Sequence, residues 1–210
     1  MRRLTINTFL TLDGVMQAPG APDEDTSNGF KHGGWMLKYF DDVMKEILDH
    51  TMRQPFALLL GRKTYDIFAA YWPHSNEEPI AGAFNKATKY VASRTLDKGS
   101  WQPTEVLKGD VLEEIKKLKR SDGPELHVHG SANLAQTLIK NNLIDSYRLW
   151  FFPLTLGTGK RLFADGTVPA ALKLTDVETS TTGVTIATFE PAGAIEYGTI
   201  GQEVAASGRR

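Results

Sequence analysis

Two short stretches set a glycine with small or cationic residues directly behind an apolar run. Gly61-Arg62-Lys63-Thr64 follows Phe56–Leu60, and Gly130-Ser131-Ala132-Asn133 follows Leu126–His129. Runs of that length suit strands buried on both faces. Behind the glycines, Tyr65, Phe68, Ala69 and Trp72 in one case and Leu134, Ala135 and Leu138 in the other recur at helical spacing. A strand that turns straight into a helix leaves the first backbone N–H groups of that helix without partners, and such groups bind phosphate. At the first joint Arg62 or Lys63 would neutralise an extra phosphate and Thr64 could cap the helix; the plainer reading is a capped turn with solvated cations. At the second, small residues would let a ligand come close to the backbone. Ser93-Arg94 ends a third apolar run, Tyr90–Ser93, where arginine could hold a phosphate bidentately or simply form a surface ion pair. If these strands are parallel neighbours, all three joints lie on the carboxyl edge of one sheet, the side on which open α/β sheets bind ligands.

Other residues carry weaker signals. Asp13, ahead of Gly14, could supply a proton to a substrate, or be no more than the Asp-Gly of a turn. Leu156–Lys160, LGTGK, fails as a Walker loop because Leu154 and Arg161 occupy positions that need Gly and Ser or Thr. His127 and His129 would share one strand face without a third ligand at metal spacing, so core or ligand-lining histidines, and no metal, are expected. Trp35, Tyr39 and Phe40 would line the pocket of a flat heterocycle or belong to the core.

The elements that must position these residues can be read from periodicity. Strand-like runs are Leu4–Leu10, Phe56–Leu60, Tyr90–Ser93, Leu126–His129, Tyr147–Phe152, Leu172–Thr179 and Val184–Glu190, with Ala194–Tyr197 as a further candidate. Helical stripes fall on Leu37, Phe40, Met44, Ile47, Leu48 and Met52, on Val111 to Arg120 behind a capping Asp110 with Glu113 reaching back, and on Ser131 to Asn142, stopped by Asn-Asn. Beyond Pro153 the helical patterns end and short turns such as Ser180–Gly183 imply hairpins. The sequence therefore predicts an α/β fold whose mostly parallel central sheet is closed by antiparallel C-terminal strands. Residues 17–34, rich in glycine, proline and acids, form a loop of a length usually kept for lids or binding. The expected organisation is one domain over 1–197 and a small polar tail over 198–210.

Composition narrows the function classes. The chain has 210 residues, 41% hydrophobic and 23% charged, the balance of a globular protein. Its net charge is −1 and its 24 basic residues are dispersed, which speaks against nucleic acid as a partner. The absence of cysteine excludes disulfides, thiolate metal sites and thiol nucleophiles. Polar residues interrupt the N-terminal run and no stretch of about 18 apolar residues occurs, so the expectation is a cytoplasmic protein with no membrane segment.

Taken together, TLDGVMQAPG (11–20), LLLGRKTYDIFAAYW (58–72), YVASRTL (90–96), VHGSANLAQTLI (128–139) and FPLTLGTGKRLF (152–163) resemble the dihydrofolate reductase-like family, and more closely its branch related to the reductase domain of bacterial riboflavin synthesis. The resemblance implies a three-layer fold and an NADPH-dependent reductase acting on a C=N or C=O bond of a pterin- or aminouracil-type heterocycle or a carbonyl compound. It places Gly61, Arg62, Lys63 and Thr64 against the cofactor's phosphates, Ser93 and Arg94 at its 2′-phosphate, and Gly130, Ser131, Ala132, Asn133 and Leu134 at its pyrophosphate. Met16 and the loop after it correspond to the flap over the nicotinamide. A homodimer is expected in this branch. Asp41, Asp42, Glu46 and Asp49 all lie near the acid that anchors the pterin in folate reductases, with no single match. The alternative reading is a non-catalytic or regulatory nucleotide-binding homodimer on the same fold.

Overall fold

The computed structural model describes residues 1–200, so the predicted tail falls almost wholly outside the described residues. Eight strands form one sheet in the order β4-β3-β2-β5-β1-β6-β8-β7. They are β1 (Leu4–Thr11), β2 (Phe56–Gly61), β3 (Lys89–Ala92), β4 (Thr104–Leu107), β5 (Glu125–His129), β6 (Ser146–Phe152), β7 (Leu172–Thr179) and β8 (Thr185–Pro191). The first six in that order run parallel, and β8 and β7 close the sheet as an antiparallel hairpin. The predicted fold class therefore holds.

Both faces of the central strands are covered, which is why β2 reads as an unbroken apolar run instead of alternating. On one face Leu4, Ile6, Leu59, Leu126 and Val128 pack against Ile115 of α4 (Val111–Arg120) and Leu134 and Leu138 of α5 (Ala132–Lys140). On the other, Leu58, Leu60 and Val91 meet Tyr65 of α2 (Arg62–Tyr71), Met52 of α1 (Asp42–Arg53) and Phe84 of α3 (Ile80–Lys86). Trp35, Met44, Trp150 and Phe152 extend that layer beneath the hairpin.

Several details depart from the sequence reading. The stripe that begins at Leu37 breaks in two, because Asp41 leaves the helix to accept from Met44 N (3.0 Å) as the N-cap of α1. Residues 37–39 form only a 3-10 turn. Asp110 caps α4 as expected, but Glu113 pairs with Lys116 (2.7 Å) instead of reaching back. Strand β4 and helix α3 were not foreseen: the first is four residues at the sheet edge and the second is seven residues broken by Gly82, too short for either period to register. No strand forms over 194–197. No helix of the described residues is long and apolar enough to cross a membrane.

At the end of β1, Asp13 proves to be the hub of a turn, which corrects its reading as a proton donor. Its carboxylate accepts from Thr11 Oγ1 (2.6 Å), Leu156 N (3.1 Å) and Gly157 N (2.8 Å), and Arg161 stands 3.4 Å away. Gly14 follows at φ 78°, a conformation that glycine adopts without strain. Led by the Thr11 hydrogen bond, these donors pull the Asp13 carboxyl down to about 2. A carboxylate held this firmly as an anion is a poor acid at neutral pH; its role is to bind the 154–161 loop to the end of β1.

A group whose folded pKa is depressed adds stability above its unfolded value and loses it as pH falls through the folded one. Asp13→Asn, whose amide nitrogen would confront either the Leu156 or the Gly157 N–H with a donor, should therefore lower Tm at neutral pH. The gap to the natural protein should close as pH drops from 3.8 toward 2. Thermal melts across that range check this, and a gap that stays constant would refute it.

Candidate functional site

Because β2, β3 and β5 are parallel neighbours or next neighbours, their carboxyl ends open on one side. They share a cleft of about 1580 Å³. Its lining includes Met16, Gly61, Arg62, Lys63, Thr64, Ser93 and Arg94. Gly130, Ser131, Ala132, Asn133 and Leu134 line it as well. All the residues expected at a cofactor thus meet in a single cavity, whereas Asp13 is not among those that line it.

The β2-α2 and β5-α5 joints are tied to one another. Gly61 N donates to Ser131 Oγ (2.9 Å), and Ser131 N donates to Thr64 Oγ1 (3.0 Å). Thr64 does not cap its own helix, whose N-cap is Gly61; its hydroxyl accepts from the neighbouring joint. Gly130 and Ser131 are both left-handed, at φ 59° and 60°, a costly conformation for serine that the paired hydrogen bonds help to hold. The consequence lies at the two helix starts. Neither α2 nor α5 has a side-chain cap, while α1 and α4 are capped by Asp41 and Asp110. The first-turn N–H groups of α2 and α5 open on the cleft with the positive ends of their helix dipoles behind them.

Cations rim this opening. Arg94 is exposed, directly after the buried Ser93, whose hydroxyl accepts from Thr95 N (3.2 Å) and Leu96 N (3.1 Å) and so shapes the turn that presents it. Arg62 lies back on Asp66 (2.8 Å). Lys63 reaches Asp25 (2.5 Å), which also takes Lys160 (2.6 Å) of the LGTGK segment. Burial of Asp25 disfavours its charge, but the two ammonium groups and Ser27 outweigh that and hold its carboxyl far below the usual range.

The 17–34 loop is thereby an ordered lid. Gln17 donates to Asp25 O (2.9 Å) and Ser27 O (3.1 Å) and accepts from Lys160 N (3.0 Å), and Trp35 Nε1 donates to Gln17 O (2.8 Å). Glu24, which also lines the cleft, accepts from Gly20 N (2.7 Å) and Ala21 N (3.3 Å); its burial outweighs those donors and raises its carboxyl pKa.

Deeper in, the cleft runs between β1, β6 and helices α1 to α3, with Phe9, Leu48, Phe84 and Trp150 in its lining. Phe40 lines it too, while Trp35 and Tyr39 pack edge-on against Phe152 in the core. His127 is a core residue stacked on Phe56 at 4.7 Å, but His129 lines the cleft, kept neutral by burial and by the neighbouring His127 and Arg148, with its pKa lowered to about 3. No cluster of potential metal ligands occurs among the described residues. The sequence reading missed Asn7, Glu24, Asp25 and Lys160. The first carried a signal: an asparagine in the middle of an otherwise doubly buried strand calls for a polar partner.

Comparison with known proteins agrees with this architecture. The chain is 30% identical over 188 residues to the uncharacterized protein YyaP of Bacillus subtilis (strain 168), covering 87% of this chain and 92% of that one. Its fold is similar to that of the Thermotoga maritima diaminohydroxyphosphoribosylaminopyrimidine deaminase/5-amino-6-(5-phosphoribosylamino)uracil reductase, with a TM-score of 0.60 at 16% identity over 90% of this chain and 56% of that one. It is also similar to the fold of Enterococcus faecalis dihydrofolate reductase, described in complex with NADP(H), with a TM-score of 0.55 at 15% identity over 90% and 96% of the two chains. The RibD C-terminal domain family matches residues 2–187, so with nearly its whole length accounted for, the chain belongs to that family.

Proposed function

We propose that the protein is an NADPH-dependent oxidoreductase that passes hydride to a C=N or C=O bond of a small heterocyclic or carbonyl compound. The observation that carries this reading is the pair of uncapped helix starts, α2 and α5, facing one cleft beside the exposed Arg94. A diphosphate would sit on the first-turn N–H groups of the two helices, and Ser93 with Arg94 would take the 2′-phosphate that distinguishes NADPH from NADH. When bound, the coenzyme supplies the hydride. The chain supplies orientation, and its lid, with Met16 buried at the root, excludes water. In place of Asp13, the carboxyl best suited to deliver a proton is Glu24, since its raised pKa keeps it protonated to higher pH than an ordinary glutamate.

Two further elements belong to this proposal. Every residue of β7 is exposed, and Leu174 and Val177 offer apolar side chains at 48% and 52% exposure beside a strand edge that is unpaired among the described residues, a surface that a second copy would cover in a homodimer. A cytoplasmic location remains the expectation. The rival reading, a nucleotide-binding regulatory homodimer without turnover, draws on the removal of Asp13 from the cleft.

Titration with NADPH should give saturable binding, with Arg94→Gln weakening it about tenfold or more and leaving NADH affinity nearly unchanged, as expected for loss of one charge-assisted contact. No binding by the natural protein would overturn the reductase reading, and binding without turnover on aminouracil, pterin and carbonyl panels would favour the rival. Once a substrate is found, turnover should fall as pH rises through the Glu24 pKa. Glu24→Gln should flatten that limb while leaving the NADPH Kd in place. Sedimentation should show a dimer that Val177→Lys disperses; a natural protein that is monomeric at micromolar concentration would refute the interface.

A further inference from the structure

The inner half of the cleft has a floor that the fold does not explain. Asn7 of β1 is 6% exposed, yet among the described residues its Nδ2 has no hydrogen-bond partner, and the same holds for Nε2 of His129. The two residues are direct register partners on adjacent parallel strands, so their side chains leave the sheet on the same face, and both line the cleft. An unpaired buried amide donor is destabilising, and a folded chain tolerates it where a ligand completes the bond. Around this polar pair the walls are apolar: Phe9, Phe40, Leu48, Met52, Phe84 and Trp150.

Charge is distributed just as unevenly. The lysines and arginines that line the cleft are Arg62, Lys63, Arg94 and Lys160, and all belong to the strand-end joints or to the 154–161 loop. Among the described residues, none from β1, β6, α1 or α3 adds a cation to the inner lining. Nor does α1 bring a carboxylate. Asp41 is spent on capping and on Thr181 (2.7 Å), Asp42 and Glu46 are exposed, and Asp49 lines a small adjoining pocket that shares Phe40, Leu48, Glu77 and Ile80 with the cleft. A phosphorylated substrate would meet no lysine or arginine in this inner lining, because Arg148, the register partner of Asn7 on β6, donates to Thr51 Oγ1 (2.8 Å) and is not among the lining residues.

We propose that this inner half binds a planar, unphosphorylated carbonyl compound or lactam, gripped through its polar edge by Asn7 and His129 and sandwiched by the aromatic walls. The proposal rests on the reductase reading for what happens to that compound, but not for its binding. Substrate selection in this chain would then rest on an amide-imidazole pair on the sheet.

The test uses the fluorescence of the full-length protein, since Trp150 lies in the cleft lining. Two probes are titrated without coenzyme, 5,6-diaminouracil and its phosphoribosyl derivative. The neutral probe should bind at least about tenfold more tightly, and Asn7→Leu should weaken it about tenfold, the equivalent of one lost hydrogen bond. Removing an unpaired buried donor should leave Tm unchanged or raised, an outcome opposite to that of a structural asparagine. Tighter binding of the phosphoribosyl probe, binding of neither probe, or an affinity indifferent to Asn7→Leu would overturn the proposal. Should Asn7→Leu lower Tm, Asn7→Ser and His129→Gln, read by the same titration, decide it on affinity alone. If NADPH fails to bind while the Asn7-dependent titration succeeds, the reductase reading falls and this one stands.

Discussion

The site depends on two hydrogen bonds that cross between the ends of β2 and β5. Gly61 donates to the Ser131 hydroxyl and Ser131 donates to the Thr64 hydroxyl, so each strand-to-helix joint is held by the other. The N-cap of α2 is Gly61, which has no side chain, and the Ser131 hydroxyl at the N-cap of α5 faces Gly61 instead of its own helix, so the N-terminal amides of α2 and α5 stay open toward the cleft. The left-handed Ser131 is part of the same arrangement: its backbone is bent so that its hydroxyl and its N–H both reach the β2-α2 joint, at Gly61 and at Thr64. What would be a defect in an ordinary helix pair, two N-termini without caps, is here the product of a closed local hydrogen-bond pattern.

The lid obeys a second constraint, electrostatic in origin. Lys63 behind β2 and Lys160 in the LGTGK loop would repel one another across the cleft mouth, and Asp25 stands between them as their common counterion. The lid is thereby fastened to the same joint that presents the amides of α2. Any anion arriving at Lys63 competes with Asp25, so occupancy of the rim and the position of the lid are coupled through one ammonium group.

Much of this was legible in the sequence. The joints at Gly61 and Gly130 announced themselves because a doubly buried parallel strand is a short apolar run and the glycine marks its end. The caps Asp41 and Asp110 obey local rules, yet only Asp110 was read correctly, since the apolar stripe from Leu37 to Met52 continues in phase across the break at Asp41. Asp13 was ambiguous for a reason that no local rule resolves: the Leu156 and Gly157 N–H groups that fix it as an anion arrive from far along the chain. The same holds for Asp25, whose partners Lys63 and Lys160 are distant in sequence and from each other. Asn7 and His129 become a pair only through the insertion of β5 beside β1, a register that periodicity cannot specify.

That insertion has a consequence for the growing polypeptide. Strand β1 is made first but its two neighbours, β5 and β6, are made after residue 124, so through more than half of synthesis it has no partner on either edge. The hydrophobic Leu4–Thr11 segment must wait, a template for stray pairing on the ribosome, until the late strands emerge and slide in around it. Nothing that binds at the rim can rescue this nascent stage, because the rim needs the β5-α5 joint, which itself follows residue 124.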